Sequence, residues 1–294
     1  MQAVVHKTRV VLEMIKFEHS IFALPLALTG ALLAVRGQGL SSSVLVAKFF
    51  WIIVAMVAAR SAAMAFNRVV DADIDAKNPR TSMRAIPAGQ VSRSFTWGFI
   101  VFWSIVFVAA AAMLNPLCLA LSPVALAVVC GYSYAKRFTA FAHLILGLAL
   151  GIAPLAAWIA IRGSFDWPIT LLAAAVMLWV GGFDIIYACQ DLEFDRQQGL
   201  HSMPAALGAA RALMLSRLMH VAMVGLLLWL WSLSGLGWVG LAGVAVTAAL
   251  LGWEHSLVSA DDFSKVDAAF FQVNGIVGVL FFVFWAADMG VRGF

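Results

Sequence analysis

Asn67, Asp71 and Asp75, in the stretch NRVVDADID, are echoed by Tyr187, Asp191 and Asp195 in YACQDLEFD, each pair 120 positions apart (187 − 67, 191 − 71, 195 − 75). Asp73 and Glu193 correspond as well. A spacing of four puts side chains about one turn apart on the same face of a helix. Two carboxylates so placed repel each other unless a cation lies between them. Two such pairs facing one another make an acidic basket of oxygen ligands. That donor set suits Mg²⁺, which keeps several waters and binds through one or two carboxylates plus substrate phosphates. No His/Cys cluster competes for a softer metal.

The neighbouring stretches are basic. AKNPRTSMR supplies Lys77, Arg80 and Arg84, and YAKRFT supplies Lys136 and Arg137. A basket for bare cations needs no such ring of positive charge, whereas a Mg²⁺–diphosphate complex does. Arg60 lies two turns before Asn67 on the same face. An Arg within an apolar run is rarely idle, so it is expected to contact substrate. Asp184, one turn before Tyr187, reads either as a site residue or as a buried structural partner. His201 is a candidate phosphate contact, while His143 and His220 are expected to satisfy helix contacts.

The elements that must carry these residues are set by composition. The chain has 294 residues, 63% hydrophobic and 12% charged, with a mean hydropathy of +0.96. A soluble domain of this size needs far more polar surface, so the chain reads as an integral membrane protein, and nothing in it points to nucleic acid. Segments of about 20 apolar residues predict nine spans, over about 20–36, 44–67, 95–113, 116–134, 141–161, 168–188, 209–231, 237–255 and 267–288. They are preceded by an interfacial helix over about 1–18. The motif loops fall at about 67–94 and 187–208, within a single domain spanning 1–294. With nine spans, one set of loops holds only Arg36, Lys48, Arg162 and Arg292, while most other Lys and Arg fall on the opposite side. The positive-inside rule places the motif loops in the cytoplasm. Cys118, Cys130 and Cys189 read as small apolar residues rather than a disulfide framework. A diphosphate bound by a membrane bundle is most simply a lipid diphosphate. Its head needs the basket and its tail needs the spans. An allylic carbon leaving diphosphate then needs a dry, apolar, aromatic-lined pocket. The rival class is an ion-coupled transporter. However, the echoed segments end on the same side and near one face, unlike the inverted repeats of many transporters.

These motifs resemble those of the UbiA superfamily of intramembrane aromatic prenyltransferases, over essentially the whole chain. NRVVDADID resembles the first family motif and YACQDLEFD the second; NPRTSMRAIPAG and YSYAKRFT resemble its basic loop elements. The resemblance implies nine transmembrane helices around a central cavity with cytoplasmic cap loops. It implies two Mg²⁺ ions held by Asn67, Asp71, Asp75, Asp191 and Asp195, bridging a polyprenyl diphosphate. Arg80, Arg84, Lys136 and Arg137 match positions that contact phosphate or close the site. Tyr187 and Arg60 match positions near the acceptor, Arg60 pairing with its carboxylate. Asp191 is assigned to orienting or polarising the acceptor phenol. Two residues depart from the family pattern: Arg68 in place of an Asp, adding a possible phosphate contact, and His201 in place of a Lys. The nearest branch is the bacterial one that prenylates 4-hydroxybenzoate for ubiquinone, in the cytoplasmic (inner) membrane. KFEHSIFALPLALTGALLA and DDFSKVDAAFFQVNG are similar to a neighbouring branch that acts on 1,4-dihydroxy-6-naphthoate for menaquinone.

Overall fold

A computed structural model describes residues 10–11, 13–15 and 20–292. Its long helices are α1 Ser20–Val35, α2 Ser42–Val70, α4 Arg93–Leu114, α5 Pro116–Gly131, α6 Ala142–Arg162, α7 Ile169–Ala188, α10 Ala209–Ser234, α11 Trp238–Ser256 and α12 Asn274–Val291. The short helices α3 Ala72–Asp75, α8 Leu192–Gln198 and α9 Met203–Leu207 lie in the loops after α2 and α7. A π-helical turn, Ala268–Val273, leads into α12. Among the described residues, seven helical segments are long and apolar enough to cross a membrane. The two other predicted spans coincide with α1, which has 16 residues, and α11, whose end carries Glu254 and His255. The predicted helix over about 1–18 falls mostly outside the described residues. Within it, Met14 and Ile15 are buried against Ala65, Val69, Ala72 and Ile86.

Helix boundaries follow from local chemistry. Ser92 caps α4 by accepting from the Phe95 N–H at 3.2 Å. Asn115 does two jobs in the tight turn between α4 and α5. Its Oδ1 accepts from Cys118 N at 2.8 Å, capping α5. Its Nδ2 donates to Ile159 O at 2.9 Å and so ties that turn to the end of α6. Pro116 follows at the first helical position, where a missing N–H costs nothing.

Helix α6 is central. It packs on α7 and α1, while α7 packs on α10, and α12 closes back onto α1. The α6–α7 contact is close because Gly147 and Gly151 share one face. A Cβ on Gly147 would sit 2.2 Å from Met177 O, and one on Gly151 would sit 2.6 Å from Ala173 O. Apolar residues of similar hydrophobicity to lipid give little drive for helix association, so such backbone approach is what holds membrane helices together. Outward faces carry exposed Val46, Phe102, Ile105, Val221 and Trp238. Helices α2, α5, α6 and α7 enclose a cavity of about 660 Å³.

Candidate active site

Both motifs share a backbone form that their spacing does not reveal. Helix α2 ends at Val70, Asp71 occupies the break with φ −87° and ψ 0°, and α3 carries Asp75. In the second motif α7 ends after Tyr187, Asp191 sits at φ −100° and ψ 8°, and α8 carries Asp195. The carboxylates therefore do not lie on one continuous helix, as the spacing predicts. Each middle Asp stands at a bend, and the short helix after it folds its second Asp over the same cavity mouth. Asn67, Asp71, Asp75, Tyr187, Asp191 and Asp195 all line that cavity. Asp73 and Glu193, between them, point outward with 78% and 77% of their side-chain surface exposed. The ion pair of Asp73 with Arg93 holds its carboxyl below the usual range.

The cations are ion-paired with the acids. Lys136 Nζ reaches Asp71 Oδ2 at 2.6 Å, and Arg137 Nη2 reaches Asp71 Oδ1 at 2.9 Å. Asn67 Nδ2 also donates to Asp71, at 3.0 Å. Arg84 grips both oxygens of Asp75, at 2.7 and 2.8 Å. Arg80 spans the two motifs. It donates to Asp191 through Nε at 3.0 Å and through Nη2, and to the Tyr187 hydroxyl at 2.7 Å. Burial alone lowers the affinity of the Arg80 guanidinium for its proton, but the hydrogen bonds and charge of Asp191 outweigh it and raise its pKa. Asp71 and Asp75 are nearly inaccessible, at 1% and 4% exposure. Such buried charge is tolerable because it is paired and hydrogen-bonded.

Three of the expected residues have contacts that the sequence does not reveal. Arg137 is not on the cavity wall; it braces Asp71 from behind, with further bonds to Val70 O and Ser133 O. Arg68 lines the cavity, but its Nε is committed to Met14 O at 3.1 Å. His201 lines the mouth, and its backbone N–H donates to Lys136 O at 2.7 Å, linking the two basic loops. Arg60 lines the cavity below the acids. Two further residues emerge only from the structure. Asn78 donates to Asp191 Oδ1 at 2.9 Å while its own Oδ1 accepts from Arg80 N. Tyr132 lines the cavity within electrostatic reach of Arg60, Asp71 and Asp184. It belongs to the YSYAKRFT stretch, ahead of the basic pair Lys136 and Arg137.

Towards the acids the cavity has an aromatic wall. The Tyr187 and Phe270 rings lie 4.3 Å apart, Phe271 meets Tyr187 edge-on at 6.0 Å, and Phe183 meets Phe270 at 5.1 Å. Away from the acids the lining turns apolar, through Met56, Ile52, Cys118 and Leu150. From Asp71 to Ile52 along α2 the rise is about 28 Å at 1.5 Å per residue.

The donor set fits Mg²⁺, since the facing groups are carboxylate and amide oxygens. Among the described residues, no three His, Cys, Asp or Glu groups are close enough to hold an ion by themselves. That suits an ion that takes one or two carboxylates and completes its shell with phosphate and water.

Sequence comparison agrees with this architecture. The profile of the UbiA prenyltransferase family matches residues 23–285, and the chain belongs to that family. A 4-hydroxybenzoate octaprenyltransferase of Cupriavidus metallidurans is 30% identical over 238 residues, 79% of each chain. The apo structure of a UbiA homologue from Aeropyrum pernix superposes with a TM-score of 0.83 at 36% identity, covering 92% of this chain and 98% of that one. A UbiA homologue from Archaeoglobus fulgidus, bound to DMAPP and Mg²⁺, has a TM-score of 0.71 at 18% identity, over 96% and 99% of the two chains, which shows a common fold. With seven apolar helices of spanning length and this family membership, the chain is an integral membrane protein of the prenyltransferase type.

Proposed function

We propose that the protein transfers a polyprenyl group from a polyprenyl diphosphate to the ring carbon ortho to the hydroxyl of 4-hydroxybenzoate, with Mg²⁺. The reading rests on one observation above all: paired acids from two motifs meet at one end of a cavity whose other end is apolar and extends the depth of the bundle. The relatives named 4-hydroxybenzoate octaprenyltransferase supply the acceptor. In this reading all nine long helices cross the bacterial cytoplasmic membrane, α1 and α11 included, and the cap of motif loops faces the cytoplasm.

Asn67, Asp71, Asp75, Asp191 and Asp195 would hold Mg²⁺, which would supply charge neutralisation at the leaving diphosphate. Arg80, Arg84 and Lys136 exchange their carboxylate partners for phosphate oxygens, and Arg137 keeps Asp71 in place. His201 and Arg68 stand at the edges of the phosphate site. The prenyl tail lies along Ile52, Cys118 and Leu150, away from water. Arg60 receives the acceptor carboxylate as a fork of donors. Tyr187 and the Phe270 and Phe271 rings bracket the allylic carbon and the acceptor, giving an electron-deficient carbon aromatic faces in place of water. Asp191, bonded by Arg80 to the Tyr187 hydroxyl, orients the phenol.

A second acceptor has a specific observation in its favour. Phe270 and Phe271 come from the AAFFQVNG stretch, and with Phe183 and Tyr187 they form a run of touching rings on the cavity wall. A bicyclic dihydroxynaphthoate fills such a wall. Purified protein with Mg²⁺, a polyprenyl diphosphate and each acceptor in turn distinguishes the two by product mass. Failure to form either product or to release diphosphate overturns the prenyl-transfer reading.

A further inference from the structure

Ring alkylation leaves a proton on the attacked carbon, and a group within the cavity must take it. The motif acids Asp71, Asp75 and Asp191 have every carboxylate oxygen engaged by an Asn, Lys or Arg donor. Asp195 lies one turn further towards the cap and interacts with Ser202. Asp184 is different. It lies on α7 one turn deeper than Tyr187, lines the same cavity, and keeps 24% of its side chain accessible. Its Oδ2 is 2.6 Å from His143 Nδ1, and among the described residues its Oδ1 takes no hydrogen bond.

The His143 ring has its protonation fixed by the chain. Its Nε2 is 3.2 Å from the Met203 backbone N–H, which can only donate. Nε2 is therefore the acceptor, Nδ1 carries the hydrogen, and the neutral ring donates to Asp184. His143 itself is 4% exposed and locked between α7 and α9. A buried donor that cannot relay a proton onward does one thing well: it holds a carboxylate in one orientation with its second oxygen facing the cavity. Tyr132, on the same cavity wall, is within electrostatic reach of both Asp184 and Arg60.

From this geometry we infer that Asp184 is the general base that removes the ring proton, with His143 as its positioning residue; this rests on the prenyl-transfer reading above. The allylic C–O bond breaks and its electron pair leaves with diphosphate. A π pair of the acceptor ring forms the new C–C bond. The ring C–H pair then returns to the ring as the proton passes to Asp184 Oδ1, and from there to diphosphate or to water at the cavity mouth. Atoms and electrons balance without any further reactant.

The test is Asp184→Asn, which keeps the acceptor oxygen for His143 but removes the basic one, assayed with acceptor deuterated at the position ortho to the hydroxyl. General-base catalysis typically contributes about 10²–10⁴-fold, so kcat is expected to fall by roughly that factor. KM for the prenyl diphosphate stays near the wild-type value, and a primary isotope effect larger than that of wild type appears on kcat. Turnover within about threefold of wild type, or a loss without an increased isotope effect, overturns the assignment. If the variant does not accumulate as folded protein, His143→Gln carries the same test. A smaller loss with an increased isotope effect supports the pair, and an unchanged isotope effect removes it. Wild-type protein that binds Mg²⁺–prenyl diphosphate yet prenylates no aromatic acceptor overturns the function and the base together. Aromatic product from wild type with an unaffected Asp184→Asn overturns the base alone.

Discussion

Asn274→Ala is the perturbation whose size the structure fixes best. Asn274 is the first residue of α12, and its side chain joins three elements. Its Nδ2 donates to Glu254 Oε1 on α11 at 2.7 Å and to Ala269 O in the π turn at 3.1 Å. Its Oδ1 accepts from Trp179 Nε1 on α7 at 2.7 Å. Asn274 and Glu254 are both fully inaccessible, and Trp179 is 1% exposed. If these bonds behaved like average interhelical bonds in membranes, at about 0.6 kcal/mol each, their loss would cost about 2 kcal/mol. Truncation instead strands an indole N–H, a Glu oxygen and a backbone carbonyl where water does not reach, at about 1–3 kcal/mol each. The second estimate governs here, because Glu254 Oε2 is already buried without a hydrogen bond among the described residues, with His220 Nδ1 no closer than 3.7 Å. A loss of at least about 3 kcal/mol corresponds to a melting temperature lower by roughly 6–12 °C, scaling from soluble domains of comparable size. The π turn also carries Phe270 and Phe271 against Tyr187, so KM for the aromatic acceptor should rise in protein that remains folded. Glu254→Gln keeps an oxygen for Asn274 and should stay near wild type. The assay is thermal unfolding in mild detergent alongside acceptor and donor KM values. A melting temperature within about 2 °C of wild type would refute the reasoning.

Asp71→Ala or Asp191→Ala should abolish prenyl transfer while folded protein persists in the membrane; activity surviving both changes removes the motif mechanism. Arg60→Ala should raise KM for the acceptor far more than KM for the prenyl diphosphate, and equal effects on both would withdraw its role. Arg80→Lys replaces a three-bond fork by a point charge. The site is partly exposed, so the loss should be limited to about tenfold in kcat/KM, or about 1.4 kcal/mol, read by steady-state kinetics. Cys118 lies at the apolar end of the cavity. Its reaction with an apolar maleimide should slow when Mg²⁺ and a long prenyl diphosphate are both present, and labelling at an unchanged rate would place the tail elsewhere.

The helices and the twin motifs are legible in the sequence because each is a local pattern. Apolar runs mark the spans, and the repeat of Asn/Tyr-x-x-x-Asp-x-x-x-Asp marks the acids. The bend at each middle Asp is not legible, since a spacing of four is the same in a continuous helix and in two helices meeting at that residue. Lys136 and Arg137 are adjacent cations that the family resemblance places together, contacting phosphate or closing the site. Only the path of the turn after α5 shows that one faces the cavity and the other faces Asp71 from behind. Asp184 and His143 are 41 positions apart, and Glu254 and Asn274 are 20 apart. Neither separation carries a periodic signal, so pairing of this kind becomes visible only when helices are packed. The π turn is hidden for a similar reason. Its AAFFQV sequence suits an α-helix equally well, and the bond from Asn274 Nδ2 to Ala269 O, which joins the turn to α12, has no counterpart in the local sequence pattern.

The pairing of every central acid with a cation has a consequence for how ligands arrive. A divalent ion coming alone takes a carboxylate away from Arg80, Arg84 or Lys136 and leaves that cation facing other positive charge. A diphosphate coming alone takes the cation and leaves a carboxylate short of its partner, most severely at Asp75, which is 4% exposed and paired only with Arg84 among the described residues. Arriving together, each supplies the partner that the other displaces. Binding is thereby an exchange, and the two ligands are thermodynamically coupled. Each should tighten the other by the same factor, as linkage requires. Titrating Mg²⁺ with and without an unreactive prenyl diphosphate analogue measures that factor. A cap wired in this way disfavours a metal ion or a phosphate arriving alone and responds to the pair that its chemistry uses.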